Sequence, residues 1–130
     1  AEPVAAAVLG ALRTRLAERH GLVLEGAFAP LWVVDFPLVE WNADEARWDP
    51  SHHPFTAPRP EDLGRLEEAP GSVRSLAYDV VLNGSEIGGG SIRIHRPDVQ
   101  ERVFALIGLG EEEARAKFGF LLRALRLGAP

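Results

Sequence analysis

Asn83-Gly84 sits between two runs of β-forming residues, Val73 to Leu82 before it and Glu86 to His95 after it. Asn-Gly suits the two left-handed positions of the tight turn whose twist matches its flanking strands, so it strongly specifies a β-hairpin. A hairpin over 73–94 is therefore predicted, with Leu82 opposite Ser85, Val81 opposite Glu86, Val80 opposite Ile87 and Asp79 opposite Gly88. Side chains alternate across a strand, which assigns Asp79, Val81, Glu86 and Gly88 to one face. Leu76, Tyr78, Val80, Leu82 and Ile87 form the other, apolar face. Uninterrupted, the second strand would carry Ile92 and Ile94 onto the carboxylate face and Arg93 onto the apolar one. A β-bulge within Gly88-Gly89-Gly90 shifts the register by one residue, returns both isoleucines to the core side and brings Arg93 round to Asp79 and Glu86.

That face carries the chemistry. Asp79 and Glu86 are diagonal neighbours, with Cβ atoms roughly 7–8 Å apart or less. Two such carboxylates repel each other unless a cation lies between them, and a hard divalent ion such as Mg²⁺ bridging to phosphate oxygens satisfies both. An exposed sheet face with both groups in water satisfies them as well. Gly88, Gly89 and Gly90 leave bare backbone that a ligand can approach closely, or simply bend the strand. Arg93 is a planar fork able to hold a carboxylate or phosphate through two parallel hydrogen bonds. His52 and His53, taken alone, read as structural. A zinc site from His52, His53 and His95 lacks a familiar ligand spacing. No nucleophile elbow, P-loop or dinucleotide fingerprint occurs in the sequence.

Around the hairpin, Val4, Val8, Leu12 and Leu16 recur at helical spacing with Leu9 beside them, predicting an amphipathic helix from Pro3 to Arg19 that stops at His20-Gly21. Leu31 to Phe36, between Pro30 and Pro37, reads as a buried strand interrupted by Asp35. Prolines at 37, 50, 54, 58 and 60 argue against regular helix or central strand over 37–60, so a long loop is expected, a length more typical of lids and binding loops. A short helix over 61–68, one opened by Pro97 and closed by Gly108, and one from Glu111 to Leu127 complete an α+β pattern.

The chain has 130 residues, 14 basic against 19 acidic, for a net charge of −5. A net negative domain lacks the electrostatic footprint of an autonomous nucleic-acid binder. No apolar run reaches the ~18 residues that cross a bilayer, and Glu2 and Pro3 stand where a signal peptide wants positive charge, so a membrane is not expected as partner. Cysteine is absent, which removes disulfides and thiolate chemistry. Methionine is absent too, and the chain starts with Ala1, so a fragment of a longer product is expected.

Four long strings, LWVVDFPLVEW (31–41), HHPFTAP (52–58), AYDVVLNGSEIGGGSIRIH (77–95) and LGEEEARAKFGFLLRALRLGAP (109–130), resemble the bacterial aspartyl-tRNA synthetases, which are class II ligases. The resemblance implies that residues 1–130 are part of a catalytic domain built on an antiparallel sheet with flanking helices. The three signature motifs, the anticodon-binding domain and most of the insertion would lie outside it. It implies activation of L-aspartate by ATP to aspartyl-adenylate and transfer to tRNA, in protein biosynthesis in the cytoplasm, by a homodimeric parent enzyme. By resemblance Asp79 and Glu86 hold Mg²⁺ and the ATP phosphates, and Arg93 receives the substrate's side-chain carboxylate. His52, with His53, contributes to aspartate recognition, and Gly88, Gly89 and Gly90 let the adenylate lie on backbone. Ser91 is an unassigned neighbour. Alone, the 130 residues are expected to be inactive. The competing expectation is a stand-alone module that binds aspartate or nucleotide without catalysis.

Overall fold

The computed structural model describes residues 2–128. In chain order they form helix α1 (Glu2–Arg19), strands β1 (Pro30–Val34), β2 (Val39–Asn42) and β3 (Arg47–Pro50), two 3₁₀ turns (Pro60–Arg65 and Pro70–Ser72), strands β4 (Ala77–Leu82) and β5 (Ser85–Ser91), and helices α2 (Pro97–Leu106) and α3 (Glu111–Leu125). An antiparallel three-stranded sheet has the order β1-β4-β5, and β2-β3 is a separate two-stranded hairpin. The architecture is α+β, as the sequence pattern implies.

The β4–β5 turn forms as expected, with Asn83 at φ 52° and Gly84 at φ 84°. Asn83 also reaches out of the turn. Its Oδ1 accepts from the Ala29 N–H at 2.8 Å and its Nδ2 donates to the Ala27 carbonyl at 2.8 Å, which fastens the turn to the segment entering β1. β1 pairs with β4 from Pro30–Leu82 to Val34–Tyr78. It ends where Asp35 adopts φ 65°, a conformation that short polar side chains tolerate best among non-glycine residues.

The bulge falls earlier than the glycine run suggests. Val81 opposes Glu86 but Val80 opposes Gly88, so Ile87 is the unpaired residue. Asp79 consequently faces Gly89 and not Gly88, and Gly88 joins the Val80 face. Placing the extra residue at Ile87 keeps all three glycines in register, where Gly90 provides room for the Tyr78 ring; a Cβ there would lie 2.8 Å from the Tyr78 hydroxyl.

Residues 37–60 are not one loop. The stretch from Val39 to Asp49 contains no proline, and Trp41 opposes Trp48 in the β2–β3 ladder with ring centroids 5.3 Å apart. Asn42 Oδ1 accepts from the Asp44 and Glu45 N–H groups and closes the turn. The helix expected over 61–68 is a 3₁₀ segment, Pro60–Arg65.

Burial is uneven. One core gathers Leu38, Val39, Leu66, Val73, Ile94, Val99 and Val103, with Trp48 packed against it. A second joins Phe55, Phe104 and Ala114 to Phe118 and Leu122, and so docks α3. β1 is not the buried strand expected: Trp32 keeps 64% of its surface, because β1 is a sheet edge covered by no helix among the described residues. Ile92 is likewise exposed, although Ile94 is buried as expected. The apolar positions of α1, Val4, Val8, Leu9, Leu12 and Leu16, are also exposed. Gly21 supplies the left-handed cap, at φ 61°. Among the described residues no helix is long and apolar enough to cross a membrane.

Candidate active site on the β4–β5 face

The register brings the expected side chains together. Asp79 pairs with Gly89, Val81 with Glu86 and Ala77 with Ser91, so Asp79, Glu86, Gly89 and Ser91 share one face. Two residues past the end of β5, Arg93 forms an antiparallel bridge with Thr56, whose side chain reaches Ser91, and this puts Arg93 on the same side. Asp79 and Arg93 are half-buried and Glu86 is exposed. Asp79 leans over Gly89, where an added Cβ would overlap Oδ1 and lie 3.1 Å from the Tyr78 carbonyl.

The histidine loop reaches this face because the residues after it are pinned. Phe55 is fully buried against Phe104 and Phe118, with centroids 5.6 and 5.1 Å away. Gln100 Nε2 donates to the Pro54 carbonyl at 2.8 Å. The backbone then zips onto the strand: Ile94 N–H donates to the Phe55 carbonyl and Ala57 N–H to the Ile92 carbonyl, each at 2.8 Å. His53 is held beside Arg93. Partial burial, and then the Arg93 charge, hold its pKa below the ordinary histidine value, and its Nδ1 accepts from the Phe55 N–H at 3.3 Å. A neutral imidazole next to a guanidinium leaves Arg93 as the cation of this group. His52 packs edge-on against Phe36, with centroids 4.6 Å apart.

Among the described residues, no group of three or more His, Asp or Glu side chains is placed to hold a metal, so the His52, His53 and His95 zinc site is not formed. Two carboxylate oxygen donors over a side-chain-free strip do fit Mg²⁺, which keeps several waters and takes only one or two carboxylates alongside substrate phosphates. A cleft of about 780 Å³ lies elsewhere, lined by residues of α2 and α3.

A family model described as tRNA synthetases class II (D, K and N) matches residues 14–130. The chain belongs to this family. It is 60% identical over 122 residues to the aspartate–tRNA(Asp/Asn) ligase of Desulfatibacillum aliphaticivorans, covering 94% of this chain and 20% of that protein. It is 58% identical over 122 residues to the aspartate–tRNA ligase of Stenotrophomonas maltophilia, with 94% and 21% covered. The aspartate–tRNA(Asp/Asn) ligase of Desulfotalea psychrophila is 58% identical over 129 residues, with 99% and 21% covered. The chain thus spans about a fifth of the length of these curated relatives.

In this class II synthetase chain, sequence patterning does not single out two buried polar residues, one that braces the fold and one that borders the site. Asp62, buried in the 3₁₀ turn, accepts from the Arg74 N–H at 2.8 Å and pairs with Arg65. Thr56 is 2% exposed, with its Oγ1 3.2 Å from Ser91 Oγ. Neither announces itself: Thr56 meets Ser91, 35 positions on, and Asp62 accepts from a backbone N–H 12 positions on; the one available signal for Thr56 is its place just after the histidine pair.

Proposed function

We propose that these residues are the part of an aspartate–tRNA ligase catalytic domain that binds aspartate and the phosphates of ATP. What carries the proposal is the shared face of β4 and β5, with two carboxylates at one end, a guanidinium at the other, and glycine backbone between them. The names of relatives 58–60% identical to the chain support the choice of aspartate.

In this proposal Arg93 takes the side-chain carboxylate of L-aspartate through its two parallel N–H groups, with His52 and His53 closing that end of the pocket. The α-carboxylate of aspartate attacks the α-phosphorus of ATP, pyrophosphate leaves, and the aspartyl-adenylate lies along Gly88, Gly89 and Gly90. A hydroxyl at the end of tRNA then takes the aspartyl group and releases AMP. Asp79 and Glu86 would hold Mg²⁺, which supplies positive charge to the phosphates. Rate acceleration comes from placing two anions in line and neutralising the charge that builds on phosphate, so no protein nucleophile is required. Further proposals, carried by the family alone, are a homodimeric parent enzyme and a cytoplasmic location.

Replacing Arg93 by Lys in the full-length ligase tests the assignment. Lysine keeps the charge and loses the fork. The expected result is a loss of aspartate-dependent ATP–pyrophosphate exchange by roughly 100-fold, the scale of a buried charge-assisted pair, with an unchanged melting temperature. Unchanged kinetics would remove Arg93 from the site.

A further inference from the structure

The Thr56–Ser91 hydroxyl pair has a direction. Each hydroxyl can donate one proton and accept, and the 3.2 Å separation alone fits either polarity. Burial separates the two options. Thr56 is 2% exposed and its hydroxyl has no other partner among the described residues, whereas Ser91 is half-buried and borders the open face. If Ser91 donated, the Thr56 proton would be left buried and unpaired, and orphaned buried donors are rarer and costlier than under-used acceptor oxygens. Thr56 therefore donates to Ser91 Oγ. The Ser91 proton cannot turn back toward Thr56, where it would meet another proton, so it points onto the face that carries Asp79, Gly89 and Arg93.

We infer that Ser91 is a specificity-determining donor to the substrate's side-chain carboxylate, and that Thr56 is a positioning residue that fixes the direction of its proton. The inference rests on the proposed assignment of Arg93 to that carboxylate. Ser91 precedes Arg93 by two positions, about 6.6 Å along the strand on the same side. One carboxylate gripped by the Arg93 fork can therefore also accept from Ser91. Together they present donors only. A carboxylate, which only accepts, satisfies both; the NH₂ of a carboxamide meets N–H and O–H groups and finds no acceptor. An unconstrained serine would rotate and accept from that NH₂, so the Thr56 hydrogen bond is what turns Ser91 into a discriminating group. Thr56 can hold this direction because it is itself fixed, as the antiparallel partner of Arg93 next to buried Phe55.

The experiment is ATP–pyrophosphate exchange by the full-length ligase, with aspartate and asparagine as probes, for Ser91→Ala, Thr56→Val, Thr56→Ser and the Ser91→Ala/Thr56→Val double variant. Ser91→Ala should raise the aspartate KM about tenfold, the scale of one hydrogen bond to a charged group, whereas Thr56→Val leaves Ser91 free to donate to a carboxylate and should move that KM much less. The ATP KM should stay within about twofold, and the preference for aspartate over asparagine should fall about tenfold. Thr56→Ser should keep the wild-type preference, and the double variant should be no worse than Ser91→Ala alone, because Thr56 acts only through Ser91. A wild-type aspartate KM in Ser91→Ala, equal rises in the aspartate and ATP KM values, or additive effects in the double variant would overturn the inference. If Thr56→Val lowers the melting temperature too far to be assayed, Ser91→Ala and Thr56→Ser carry the same comparison. Arg93→Lys in parallel separates the two levels. If it raises the aspartate KM and Ser91→Ala does not, the Ser91 role fails alone; if neither does, the functional assignment fails with it.

Discussion

Gly89 decides where the Asp79 carboxylate can lie. A Cβ at Gly89 would overlap Asp79 Oδ1 and press on the Tyr78 carbonyl, and the backbone at 89 is fixed by pairing on β4. Gly89→Ala in the full-length ligase should therefore displace Asp79 and raise the Mg²⁺-ATP requirement of pyrophosphate exchange about tenfold, the scale of one lost charged contact. The aspartate KM should move much less. Asp62 acts on stability instead. Its pKa is lowered first by the Arg74 N–H it accepts from, and then by Arg65 and the charge of Arg59. A carboxylate with a depressed folded-state pKa stabilises fully above its unfolded value, near 3.8, and that contribution is lost as pH falls through the lower folded value. Asp62→Asn should lower the urea midpoint at pH 7, with the gap from wild type closing below about pH 4. Period-two alternation alone puts Asp79 and Glu86 on one face, and Arg93 joins them only through the bulge that apolar Ile92 and Ile94 call for. Alternation could not locate the bulge, because three consecutive glycines offer no side chain to mark where pairing slips. Asp62 and Thr56 were illegible for a different reason: each is defined by a partner brought near only by the tertiary fold.

Between elements, the largest correction lies in the segment 37–60. Its prolines delimit a hairpin and leave the interior of that hairpin free to pair. Trp48 is half-buried, joins the main core, and abuts Gly71, where an added Cβ would lie 3.2 Å from the ring. Trp41 on the facing strand is exposed. The two tryptophans should therefore separate in urea unfolding of the chain: Trp48→Ala is expected to cost about 3 kcal/mol and Trp41→Ala less than about 1 kcal/mol. Similar losses would show that the cross-strand pair, and not the core contact, holds the hairpin. Helices α2 and α3 follow from local signals such as Pro97 and Gly108 (φ 73°), which act without tertiary help. The helical stripe of α1 and the β-forming run of β1 were legible as elements, but not their exposure. An apolar pattern shows what a face can bury and is silent on whether a partner is present.

At the scale of the whole molecule, one side of the sheet carries an exposed apolar patch. Trp32 and Tyr78 meet edge to face at 5.8 Å, with exposed Val34 beside them in the ladder. Exposed apolar patches next to an unpaired strand edge favour association. The 130-residue chain should sediment with a concentration-dependent coefficient, and Trp32→Lys with Val34→Lys should bring it to a single monomeric boundary. A wild-type chain that stays monomeric across the concentration range would show that this face does not associate. The same strand bears on synthesis. Asn83 holds the approach to β1 by bonding Ala29, 54 positions earlier in the chain, and among the described residues β1 pairs with no strand but β4. A ribosome adding about 5–20 residues per second makes β1 roughly 3–10 s before its clamp exists. For that interval Trp32 and Val34 are an unpaired apolar edge on a nascent chain, so this sheet's vulnerability to misassembly is set by the speed of translation between Ala29 and Asn83.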